Sequence, residues 1–299
     1  MEEKKLDKNS IIGFVLISGI LLWMLYANTP SAEELKEKEK KEQVEKQAKE
    51  AKPAKTVTAT TVTPADATQT AAAQAQLGSF GYSATLPSAT DAVTEIKNDV
   101  LSLKISNKGG YIVDATVLGF EQFEKNSKKA VQIIKNQNAS LDITLNTVDN
   151  RTLHTKDMFF EPKLTTEGKN QVLTLQLKAG PDQFLEYRYV LKPNEYMLDF
   201  GIRSQGLEKI VNTSKPLDLE WQLKTYRNEK SISYENRYTE LVFEYEGGKD
   251  DYLNAAKDSE DEAVDVSYIA FKQHLFTSIL LTDTKFKTAK FKSDNLVED

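Results

Sequence analysis

The 299-residue chain contains no cysteine, which excludes disulfide frameworks, thiolate metal sites and cysteine nucleophiles together. Histidine is almost as scarce: His154 and His274 are the only two and stand 120 residues apart, leaving little basis for a histidine-rich metal site. A basic excess is missing too, since 39 Lys and Arg face 45 Asp and Glu for a net charge of −6. The five arginines, at 151, 188, 203, 227 and 237, are scattered rather than grouped. A nucleic-acid partner, which needs a basic face, is therefore not expected. The GxGxxG, phosphate-loop, GxSxG and HExxH patterns are all absent, so no motif-borne enzyme class or cofactor is indicated. Apolar residues make up only 39% of the chain, low for a packed globule of this length, so part of it is not globular.

What is present begins with a long uncharged run. No residue from Asn9 to Ala32 carries a charge, and Ile11 to Ala27 is apolar apart from Ser18 and two glycines. As a helix these 17 residues would reach roughly 26 Å, and the uncharged flanks extend that to the ~30 Å of a bilayer core. A membrane anchor is expected over residues 11–28, with Ile11, Phe14, Leu16, Ile20, Leu22, Trp23 and Tyr26 in contact with lipid. Trp23 and Tyr26 fall near its carboxyl end, where amphipathic rings favour the headgroup level. A cleaved signal peptide would have a shorter run and a small-x-small site after it, neither of which is seen. Lysines flank both ends, so charge alone leaves the orientation open.

Residues 29–76 read as a linker of two kinds. Glu33 to Lys52 holds seven Glu and seven Lys among strong helix formers, with pairs four apart such as Glu34 and Lys38, which predicts a solvated single helix. Pro53 to Gln76 turns to Ala, Thr, Pro and Gln, a composition that cannot bury a core and predicts a flexible tether.

From Leu77 to the end the texture is short alternating runs between turn residues. Val100 to Ser106 puts Leu101, Leu103 and Ile105 on one side, and after Asn107-Lys-Gly-Gly110 a second run, Tyr111 to Leu118, completes a hairpin. Similar runs at Ser140–Val148, Gln171–Lys178, Gln183–Lys192, Tyr196–Ser204, Leu217–Tyr226, Glu240–Tyr245, Ser267–Phe276 and Thr277–Thr282, without amphipathic helices between them, predict one mainly β, antiparallel sandwich. The acidic stretch within Val242 to Asp265 reads as a solvated loop, because its oxygens do not fall at calcium-loop spacing. His154 falls in a polar, loop-like stretch and His274 is expected on a strand; neither is expected to be catalytic. If the sandwich acted on sugars, a carboxylate and a histidine would have to converge in a cleft beside exposed rings such as Trp221 or Tyr226.

Four segments together carry a family likeness. Asp7-Lys-Asn-Ser-Ile-Ile-Gly-Phe14, followed by one anchor and a tether, resembles the amino terminus of YidC-type membrane protein insertases, particularly the Bacteroidetes form. Asn98 to Gly110 is similar to that family's first hairpin and Tyr187 to Phe200 to its central one. Asp265 to Leu280 is similar to a segment in which an aromatic and an Ala precede Lys/Gln-Gln and a Phe. The resemblance implies a cytoplasmic tail (1–10), an inner-membrane anchor, and a periplasmic β-supersandwich of the galactose mutarotase type from residue 77 to 299, incomplete at its carboxyl end. It implies a non-enzymatic insertase and chaperone without a cofactor, whose partners are inner-membrane lipid, nascent membrane proteins and the Sec translocon. The groove that performs insertion would lie beyond Asp299. A mutarotase-like sugar binder or a membrane-anchored adaptor is the alternative.

Overall fold

The computed structural model describes residues 72–124 and 126–295. The expected anchor and nearly all of the linker lie outside these residues. Residues 72–77 are helical and pass into a 3-10 helix, Gly78–Thr85. Alanine favours helix at the end of a stretch otherwise too polar to pack. A Cβ at Gly81 would fall 2.6 Å from the Gln74 backbone nitrogen, so only glycine lets the two turns cross this closely. Phe80, fully buried, pins the segment into the core.

Among the described residues fifteen strands follow, and every pairing between them is antiparallel. The first sheet runs β1-β2-β3-β4, from β1 (Val93–Lys97), β2 (Leu101–Ser106), β3 (Ile112–Glu121) and β4 (Ala130–Ile134). The second runs β10-β9-β8-β7, from β7 (Glu161–Glu167), β8 (Asn170–Gly180), β9 (Gln183–Leu191) and β10 (Leu198–Gln205). The third is β11-β5-β6, from β5 (Ala139–Asn146), β6 (Thr152–His154) and β11 (Asp218–Leu223). After a short helix α1 (Ile232–Asn236) comes the fourth sheet, β13-β12-β14-β15, from β12 (Glu240–Tyr245), β13 (Lys249–Asn254), β14 (Ser259–Lys272) and β15 (Thr277–Ser293).

The alternation in the sequence explains how the first three sheets share a core. Leu101, Leu103 and Ile105 of β2 point inward while Lys104 faces water. They join Ile143 and Leu145 of β5 and Leu173, Leu175 and Leu177 of β8 in one apolar cluster, as expected of a sandwich. Tyr187 packs between Phe160 and Phe200, at 4.7 and 5.4 Å between ring centres, and the Tyr189 hydroxyl donates to the Gly110 carbonyl at 2.7 Å. Gly110 takes φ +67° in the turn between β2 and β3, where a Cβ would sit 2.9 Å from the Tyr187 ring. The fourth sheet has its own core of Leu241, Phe243, Leu253, Ala263, Val266 and Phe291. Within it the Phe243 and Phe291 rings stack at 3.9 Å, and β14 and β15 shift register between Val266 and Tyr268.

Several expectations need correction. The acidic stretch is not a loop: it forms β13 and the first half of β14, where Glu260 and Glu262 stand opposite Lys292 and Lys290 of β15. The ladder with β15 makes a strand of a segment that composition alone marks as solvated, and it sets opposite charges across from one another. Strands β1, β4, β6 and β7 were not expected; β6 has three residues and β7 buries none of its side chains fully. His154 ends strand β6, and His274 lies in the turn after β14, so their expected settings are reversed.

Candidate functional site

Each histidine is bonded to a carboxylate. The Asp142 side chain, 2% exposed, meets His154 Nδ1 at 2.7 Å. It also accepts from Thr155 Oγ1 at 3.2 Å and from the Lys156 backbone at 3.1 Å. Lys156 Nζ stands 3.7 Å from Asp142 and 3.8 Å from Glu220, across the face of the third sheet. Tyr187 is buried beneath this network; burial raises its pKa above that of an ordinary phenol, and the Asp142 charge adds to the effect. Asp142 thereby fastens the β6 end to β5. Asp142, 2% exposed, is thus bonded to His154, whose side chain is 46% exposed.

His274 belongs to a second cluster. Its Nδ1 lies 2.6 Å from Glu229, its ring stacks on Tyr238 at 4.6 Å, and Tyr234 meets it edge-on at 5.3 Å. Beside it Glu235, 3% exposed, accepts from the backbone of Asn228 and Glu229 and from Gln273 Nε2 at 3.1 Å. Gln273 Nε2 also donates to the Tyr226 carbonyl at 2.8 Å, and its oxygen accepts from Asn228 Nδ2 at 3.0 Å. Burial raises the Glu235 pKa, with the Asn228 and Glu229 amides pulling it back.

A third polar centre ties two sheets together. Asn98 Nδ2 donates to the carbonyls of Lys192 and Glu195, each at 2.7 Å, while its Oδ1 accepts from Val100 and Leu101 at 2.9 and 2.7 Å. The β1–β2 turn is thus held against the β9–β10 turn. An open depression of about 420 Å³ lies here, lined by Lys97, Asn98, Lys169, Gln171 and Pro193 among others. Its polar wall differs from the mostly apolar clefts that take small molecules and suits contact with a polar surface. On the second sheet, buried Glu186 receives Arg203 Nε at 2.6 Å and Gln176 Nε2 at 2.8 Å. Burial works to raise its pKa, but these bonds and the arginine charges leave it lowered.

The rings considered as sugar platforms are engaged elsewhere: Trp221 meets Phe271 at 4.4 Å, and Lys135 lies over Tyr226 at 4.8 Å. The seven expected anchor residues, Ile11 to Tyr26, fall outside the described residues. Among the described residues no helix is long and apolar enough to cross a membrane, and no group of three or more acidic or histidine side chains could hold a metal. Composition gave no signal for Asn98, Glu235 or Gln273. Asn98 and Gln273 do lie in segments singled out by the family likeness, and the first hairpin and central segments meet physically at Asn98.

Residues 93–298 match the family described as the YidC periplasmic domain. Over 290 residues the chain is 30% identical to a membrane protein insertase YidC of Bacteroides fragilis, an alignment covering 96% of this chain and 45% of that protein. It is 28% identical over 304 residues to the one of Parabacteroides distasonis, covering 98% and 47%, and 27% identical over 288 residues to the one of Porphyromonas gingivalis, covering 95% and 45%. The chain therefore spans a little under half the length of these curated relatives.

Proposed function

From the premise that this chain belongs to the YidC periplasmic domain family, we propose that it is the amino-terminal part of a membrane protein insertase and chaperone. The observation that carries this reading is the family match over 93–298, which takes in essentially the whole β region. In this reading residues 1–10 are a cytoplasmic tail and Ile11, Phe14, Leu16, Ile20, Leu22, Trp23 and Tyr26 contact lipid in an inner-membrane helix. The linker, 29–76, then joins that helix to a periplasmic supersandwich of the galactose mutarotase type.

Clients are nascent inner-membrane proteins, received alone or beside the Sec translocon. Insertion needs no nucleotide, because burial of a client's apolar surface, ~25 cal/mol per Å², supplies the driving force. A hydrated groove elsewhere in the protein would lower the cost of moving polar residues across. This chain contributes anchoring and a periplasmic surface, of which the Asn98 depression is one polar region.

Topology is tested by expressing the chain in cells and adding protease to spheroplasts. A membrane-fractionating chain whose β region is digested only from outside supports the proposal. A soluble, clipped or protected product would sink it. Depletion of the intact gene should stall insertion of inner-membrane proteins, and normal insertion would refute the insertase assignment.

A further inference from the structure

The strands β12 to β15 come from one continuous stretch, 240–293, and form a sheet among themselves. Their core shares no buried residue with that of the sandwich. The chain enters this stretch through a connector, 224–239, which carries α1. A contiguous segment with its own sheet and its own core can move as a unit about the connector that leads into it.

What holds it closed is local. The β14–β15 turn returns to the body through Gln273 and His274, two adjacent residues. Gln273 bonds Tyr226, Asn228 and Glu235, and His274 bonds Glu229; these four partners all lie in the connector. Against the sandwich strands themselves, the ring contacts are Trp221 with Phe271 at 4.4 Å and Phe120 with Phe276 at 5.6 Å. The carboxylate of Glu235 is buried among hydrogen-bond donors, an arrangement whose desolvation cost offsets much of what its bonds contribute. Closure thus depends on a small clasp rather than on a shared core.

We propose that β12–β15 is a hinged module, clasped by Gln273 to Glu235, Asn228 and Tyr226 of the connector 224–239, which Asn138 in turn holds to the sandwich through Lys224, and that it opens about the junction of this connector with β12. Opening uncovers the facing rings of Trp221, Phe271, Phe120 and Phe276. The proposal is independent of the insertase reading, since it concerns how the β region moves.

The sequence supplies its own reporter, because Trp23 and Trp221 are the only tryptophans. In the full chain carrying Trp23→Phe, in detergent micelles, Trp221 alone reports on the closed contact. Gln273→Ala removes the clasp; Gln273→Glu keeps its size and sets a carboxylate against Glu235. Both should raise acrylamide quenching of Trp221 and speed amide exchange at 226–238 and 270–280 about tenfold. Exchange in β8 and β9 should stay unchanged. The swap Gln273→Glu with Glu235→Gln restores one amide–carboxylate pair and should return part of the slow exchange. Unchanged quenching and exchange in both single variants would overturn the proposal. Faster exchange in β8 and β9 by the same factor, or a swap as open as Gln273→Glu alone, would overturn it too.

Discussion

Replacing Asn98 by alanine removes four hydrogen bonds, two holding the β1–β2 turn and two reaching the carbonyls of Lys192 and Glu195. At a net contribution of about 0.5–1.5 kcal/mol per bond, the loss should be roughly 2–4 kcal/mol, less than the upper sum because partly exposed carbonyls regain water. For a domain of this size that corresponds to a fall of about 5–15 °C in Tm. Thermal unfolding of the full chain, followed by far-ultraviolet circular dichroism in detergent, measures it. Asn98→Asp separates the two halves of the effect. It keeps the acceptor toward Val100 and Leu101 but turns the donor toward two carbonyls into a repelling oxygen. If the bridge between sheets dominates, Asn98→Asp should be as damaging as Asn98→Ala. An alanine variant within about 0.5 kcal/mol of the parent, the range of an ordinary surface change, would refute the bridging role.

Three further outcomes are expected. Gly110→Ala forces a side chain into positive φ against Tyr187 and should destabilise by about 1–3 kcal/mol, read by urea unfolding with an unchanged m-value. The lowered pKa of Glu186 means its ionised form contributes stability above the unfolded-state pKa and loses it as pH falls through the folded-state value. Arg203→Ala should therefore weaken the fold at neutral pH and move the acid-unfolding midpoint upward, as a pH titration of ellipticity would record; an unmoved midpoint would contradict this. Ile20→Arg places a charge near the centre of the expected anchor at a cost of about 2.5–3.5 kcal/mol, and carbonate extraction should show more of the chain released from membranes.

Part of the fold was legible because strand alternation is a local property. Leu101, Leu103 and Ile105 declare their face within six residues, and the long runs of β8 and β9 do the same. Strand β6 is too short to show a period, and β7 lies at an edge with no fully buried side chain, so neither left a pattern. The acidic run of β14 misled for a different reason: its ladder partner is β15, some thirty residues later, which no local window sees. Asn98, Glu235 and Gln273 were equally silent, since an amide or carboxylate acquires its role from the partners that folding brings to it.

The amino-acid sequence by itself determined the absence of thiol chemistry, the uncharged run at 11–28, the low-complexity linker and the antiparallel β character. Each follows from composition or from a period of two, which neighbouring residues set on their own. Only the tertiary structure decided that Asn98 joins two sheets, that both histidines are paired to carboxylates, and that β12–β15 builds a separate core. Those facts depend on contacts between residues tens of positions apart, and such contacts exist only once the chain has closed on itself.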